Sequence, residues 1–196
     1  MTIEEILLAS EPMHVSGRFR KWLAFILKHY SKIDDSGNII PEGISKNNDF
    51  KFAGLTSGID FVSEQVDSVS AADIVQKHSE NYWWPSHGET LPNKGVGEIV
   101  AMMSVDANLE TSAYLFQNTM VDFGCKIIVD GKIGPKTIRE AWNLNDFSDL
   151  SRGIIAKAKA RYKKLARGDA QDLIDMNMRI DRIDSASKEF VVDKHA

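Results

Sequence analysis

Carboxylates crowd one polar stretch of this chain. Asp34, Asp35, Glu42 and Asp60 all fall within residues 34–68, a segment rich in Gly, Asn, Ser and Asp. Carboxyl groups give and take protons, so general acid–base chemistry is first sought there. A connection of that length inside a compact domain is usually functional or flexible. The plain alternative is a solvated loop, since most surface carboxylates do no chemistry. A second group is the ring run Tyr82-Trp83-Trp84. Such rings can stack on a sugar, or can anchor a core through the large area they bury.

Other chemistries find little support. The histidines at 14, 29, 78, 87 and 195 show no ligand spacing such as His-Glu-x-x-His. The glycines at 54, 58, 95 and 97 are not followed by the Gly-Lys-Ser/Thr of a phosphate loop. Cys125 is the single cysteine, which excludes an intramolecular disulfide and a cysteine-built metal site. At the head of an apolar run it reads as a buried thiol. No cofactor or metal is expected. The formal charge of −4 gives no case for a nucleic-acid binder. The basic stripe "KAKARYKKLAR" at 157–167 fits a solvated helix face, with Ile154, Ile155, Ala158, Tyr162 and Leu165 turned inward.

The composition is that of a soluble globular protein, 43% hydrophobic and 27% charged. No apolar run approaches the roughly 18 residues that would cross a bilayer. The start, "MTIEEILLAS", carries Glu4 and Glu5 where a signal peptide would be basic.

The elements that must position these groups are mostly helical. A short helix is expected over 3–9, and a longer one over 17–33 with Phe19, Trp22, Leu23, Phe25, Ile26 and Leu27 on a wide apolar face. Ser70 reads as an N-cap with Asp73 in the first turn, and Pro85 ends the helix that follows. Helices are expected at about 95–106 and 109–121, then at 135–142, where Pro135 suits the first helical position. Two more follow, over "SDLSRGIIAKAKARYKKLA" and "DAQDLIDMNMRIDRI". Between 126 and 134, "KIIVDGKIG" reads as a small β-like turn element. The fold class is mainly α, with residues 1–16 as a lead, 17–182 as one helical domain and 183–196 as an extended arm.

The order of the motifs is informative. "WLAFILKHY" (22–30), "GLTSGID" (54–60), "ENYWW" (80–84), "LP" (91–92), "SVDAN" with "AYLFQ" (104–117), "DGKIGPKTI" (130–138) and "DMNMRI" (175–180) follow one another. In that order they resemble the family-108 glycoside hydrolases, lysozyme-like N-acetylmuramidases found widely in phages and prophages. The resemblance spans roughly 20 to 182, and "DGKIGPKTI" is its nearest match. It implies a lysozyme-like domain whose C-terminal half, from about 92, is a peptidoglycan-binding region. Tyr82, Trp83, Asp106 and Gln117 are then the expected substrate-binding residues.

The departures fall where the chemistry should be. Glycoside cleavage needs a carboxyl group to protonate the leaving oxygen and a second carboxylate, or a held water, on the other face. The family's acid, in Glu-Gly-Gly-Tyr at the end of the first helix, aligns with Tyr30, and Ser31 and Lys32 follow. A phenol, which ordinarily titrates near about 10, is a poor proton donor for that step. Glu42 in "PEGI", 12 residues before Gly54, stands as the alternative acid in a relocated position. Asp34 and Asp35 are third choices, and Asp60 is the candidate second carboxylate. The helix Asn aligns with Asp106, with Asn108 two residues on.

Three functions remain open. One is a muramidase-like protein degenerate at its acid, serving in a phage tail, baseplate or interior, or contacting peptidoglycan. Another is an active muramidase using Glu42. The third is a cytosolic helical interaction protein. The expected partners are peptidoglycan or other virion proteins, with the terminal arms serving assembly. The expected location is the virion or the host cytoplasm.

Overall fold

The structure is a computed structural model, and it describes residues 1–13, 15–43, 50–56, 69–165 and 170–191. The chain is mainly helical and divides into two compact units, Met1–Pro85 and Ser86–Ala196. No helix among the described residues is long and apolar enough to cross a membrane.

The first unit begins with α1 (Ile3–Ala9), closed by a capping box between Thr2 and Glu5. The lead is part of the core. Ile6 is fully buried, and α1 packs on α2 (Gly17–Tyr30) and α3 (Ala71–His78). Ile39 donates its backbone N–H to Met1 O at 2.8 Å, so the first residue also bonds to a hairpin. Ser16 caps α2 by accepting from Phe19 N at 3.1 Å. The expected apolar face of α2 is buried throughout. The helix stops at Tyr30, short of 33, because Ser31 turns extended (φ −106°, ψ 147°). Lys32–Ile33 (β1) then pairs antiparallel with Ile39–Ile40 (β2). A second sheet runs β3 (Glu42–Gly43), β4 (Phe50–Phe52) and β5 (Leu55–Thr56), all antiparallel. Strands of two or three residues are too short to show a period-two pattern, so the sequence read this region as loop.

Ser70 and Asp73 form the expected cap of α3. The helix then widens into a π turn over Ser79–Trp83, where Trp84 N–H reaches Ser79 O at 3.0 Å. Within this turn Trp83 faces inward and Trp84 outward, at 1% and 53% exposure. The Trp83 ring sits 5.7 Å from Phe19 and 5.4 Å from Trp22, centroid to centroid.

The second unit is built from α4 (Val96–Asp106), α5 (Leu109–Asp122), α6 (Pro135–Trp142), α7 (Phe147–Leu165) and α8 (Ala170–Phe190). Helix α4 is buried continuously from Val96 to Ser104 and packs against α5, α7 and α8, which makes it the axis of this unit. The segment expected as an extended arm from 183 instead continues α8 to Phe190. Ile183, Ala186 and Phe190, three and four residues apart, are all buried, and that spacing keeps the chain helical. The Asp130-Gly131 turn forms as expected. No strand forms at 126–134, however, and the paired strands lie within 32–56.

Truncating Trp83 should open a large cavity in the first unit. Trp83→Ala is expected to lose about 3–5 kcal/mol in urea unfolding. Trp84→Ala should stay within about 0.5 kcal/mol of wild type.

Candidate functional site

The end of α2 is the centre of the first unit's candidate site. Tyr30, at the position where the resemblance places the acid, is 6% exposed. Gly54 presses against it from the β4–β5 turn. A Cβ on Gly54 would lie 3.1 Å from Ile26 Cγ2, 3.3 Å from Tyr30 Cβ and 3.4 Å from His78 Cε1. Gly54 also has φ +79°, so both its conformation and its surroundings require glycine. The preceding residue, Ala53, is tied by its carbonyl oxygen to the buried His78 ring, with Nε2 2.7 Å away. This is how the sequence brings the first glycine of "GLTSGID" onto the end of α2.

The carboxylates around this point are exposed or half-exposed. Asp34 closes the β1–β2 hairpin, its Oδ1 accepting from Ser36 N and Asn38 N at 2.9 Å each. These bonds, led by that from the Asn38 backbone, hold its carboxyl below the usual range. Asp34 thus favours its ionised form, the opposite of what a proton donor needs. Asp35 is exposed in the same turn. Glu42 is exposed on β3, where its register partner is Lys51. Asp60 lies outside the described residues. Tyr82 is half-buried, with its ring 6.0 Å from that of His78. Trp83 is inside the core, so Trp84 is the ring of the run most open to solvent.

Asp106 and Gln117 belong to the second unit. The Asp106 carboxylate is 3% exposed at the end of α4, and three side chains converge on this residue. Tyr162 donates its hydroxyl to Oδ2, and the guanidinium groups of Arg179 and Arg182 stand 3.7 Å and 3.6 Å away. Arg179 also donates to the Asp106 backbone oxygen at 2.5 Å. Burial first, then the Asp106 charge, raises the Tyr162 hydroxyl well above its ordinary value, so it stays a donor. The cluster joins α4, α7 and α8. Tyr162, Arg179 and Arg182 were missed as functional partners of Asp106 because they lie 56 to 76 residues away in sequence. Asn108 caps α5, accepting from Thr111 N at 2.7 Å.

Gln117 is 1% exposed, and its side chain is spent on the turn. Nε2 donates to Asp130 Oδ1 and Lys132 O, both at 2.9 Å. Oε1 accepts from Asp130 N at 3.1 Å and Gly131 N at 2.8 Å. A primary amide has two donors and two acceptor sites, and all four are used. The geometry therefore gives Gln117 to the Asp-Gly turn and leaves it nothing for a ligand. Gly131, at φ +72°, could not carry a Cβ without meeting Glu110 Cγ at 2.8 Å.

A depression of about 250 Å³ is lined by Tyr162, Leu165, Asp172, Asp175, Met176 and Arg179. It falls below the roughly 300–1,000 Å³ usual for a ligand pocket. Among the described residues no group of His, Cys, Asp and Glu could hold a metal ion.

No protein-family model matches the chain. No curated protein matches it either. The solved structure of SagA from Brucella abortus aligns with 93% of this chain and 100% of its own, at a TM-score of 0.67 and 16% identity. The two share a fold. Identity this low carries architecture and not activity.

Cutting the Gln117 side chain should strand the buried Gly131 N–H. Gln117→Ala is expected to cost about 1–3 kcal/mol in denaturant unfolding. The loss should come with faster amide exchange at Asp130 and Gly131.

Proposed function

We propose that this protein is a muramidase-like scaffold of the family-108 type that has lost the catalytic acid. It serves as a peptidoglycan-contacting or structural component of a phage particle. The observation that carries this reading is Tyr30, buried under Gly54 where the resemblance places a glutamic acid. A general acid in such enzymes is held protonated by an apolar setting. Every described carboxylate of the first unit is exposed or half-exposed, and Asp34 is shifted toward ionisation.

The parts that resemble wall contact are better kept than the acid. The Asp130-Gly131 turn is fully hydrogen-bonded by Gln117. Trp84 presents an indole to solvent, and Tyr82, two residues before it, is half-buried. Stacking of an indole on a sugar ring would give such a protein a grip on glycan strands without cleaving them.

Co-sedimentation with insoluble murein tests this reading. The wild type should pellet with murein, and Trp84→Ala should weaken retention by up to about tenfold, the scale of one aromatic contact. A folded wild type that stays in the supernatant would contradict wall contact. Undiminished retention of the variant would contradict the role of Trp84.

A further inference from the structure

The run Cys125–Val129 leaves the end of α5 and reaches the Asp-Gly turn with neither bend nor turn. Its exposure alternates: Lys126, Ile128 and Asp130 face outward, while Cys125, Ile127 and Val129 are half-buried. That period of two belongs to an extended chain. Ile128 is 75% exposed, the highest value among the exposed large apolar side chains of the described residues. The backbone of Lys126–Val129 makes no hydrogen bond within the described chain. A β-branched, straight and unpaired segment is an open edge, able to template another strand.

We propose that this edge is a homodimer interface, in which Lys126–Asp130 pairs antiparallel with the same segment of a second copy, centred on Ile128. Symmetry in the sequence selects that occupant. With Ile128 opposite its own copy, Ile127 faces Val129 and Lys126 faces Asp130. A two-fold interface is self-complementary, so each contact occurs twice and both lysines meet a carboxylate. Asp130 uses Oδ1 to hold its turn, which leaves Oδ2 for the incoming ammonium. A register centred between Ile127 and Ile128 would set Lys126 against Val129 and leave the charges unmatched. A two-stranded pair is marginal by itself. The exposed Val121 and Phe123, just before the segment, add apolar surface at 43% and 41% exposure.

Sedimentation velocity from micromolar to millimolar concentration tests the proposal. The wild type should pass from monomer to dimer, and amide exchange over 126–130 should slow as the dimer forms. Ile128→Glu places two carboxylates face to face and should weaken self-association by about tenfold or more. Lys126→Glu, which sets a carboxylate against Asp130 of the second copy, should do the same. Both variants should keep the wild-type circular dichroism and unfolding midpoint, because the substituted side chain points to solvent. A wild type that is monomeric throughout, with the edge serving some other chain or none, would overturn the proposal. So would either folded variant that dimerises as the wild type does.

Discussion

The first unit depends on one close approach. Ala53 and Gly54 must come down onto the end of α2, and this needs both a residue without a side chain and a partner for the Ala53 carbonyl. Gly54 meets the first need, with Ile26, Tyr30 and His78 all within contact of where a Cβ would stand. The buried His78 ring meets the second. Trp22 stands edge-on to that ring at 5.8 Å and leads to Trp83 and Phe19, so the same contact links the turn to the aromatic core. Loosening it would expose a backbone carbonyl and a buried imidazole together. The place so tightly closed is the place where a lysozyme-like enzyme would keep its acid.

Under the proposed function, that coincidence gives a physical reason for a scaffold to outlast its chemistry. A carboxyl group at the end of α2 would be stripped of water, which raises its pKa and suits it to donate a proton. It would also weaken the fold whenever it ionised. Tyr30 fills the same position mainly with an apolar ring and relieves that tension. In the second unit the polar residues expected to bind substrate are internal ties. Asp106 joins three helices through Tyr162, Arg179 and Arg182, and Gln117 gives its whole amide to one turn.

Much of the helical framework was legible from local signals. Ser70 with Asp73, Asn108 before α5, and Gly134-Pro135 before α6 each mark a helix start by chemistry that acts within four residues. The continuation of α8 was also written in the spacing of Ile183, Ala186 and Phe190, although charged residues around them hid it. The β1–β2 hairpin was not legible, since its two-residue strands are held by the Asp34 turn and a bridge to Thr2 rather than by apolar alternation. The run at 126–129 had the composition of a strand, but pairing depends on a partner and none lies within the described chain. Burial decided the candidate site. Sequence cannot tell Trp83 from Trp84, and one π turn sends the first inward and the second outward.

The proposed function is that of a fold maintained while its proton donor was lost. Muropeptide release from purified murein, followed by mass spectrometry with the folded wild type and with Glu42→Gln, addresses that claim directly. The account predicts no soluble muropeptides from either protein. Release by the wild type that disappears in Glu42→Gln would contradict it and would make the exposed glutamate of β3 a working acid.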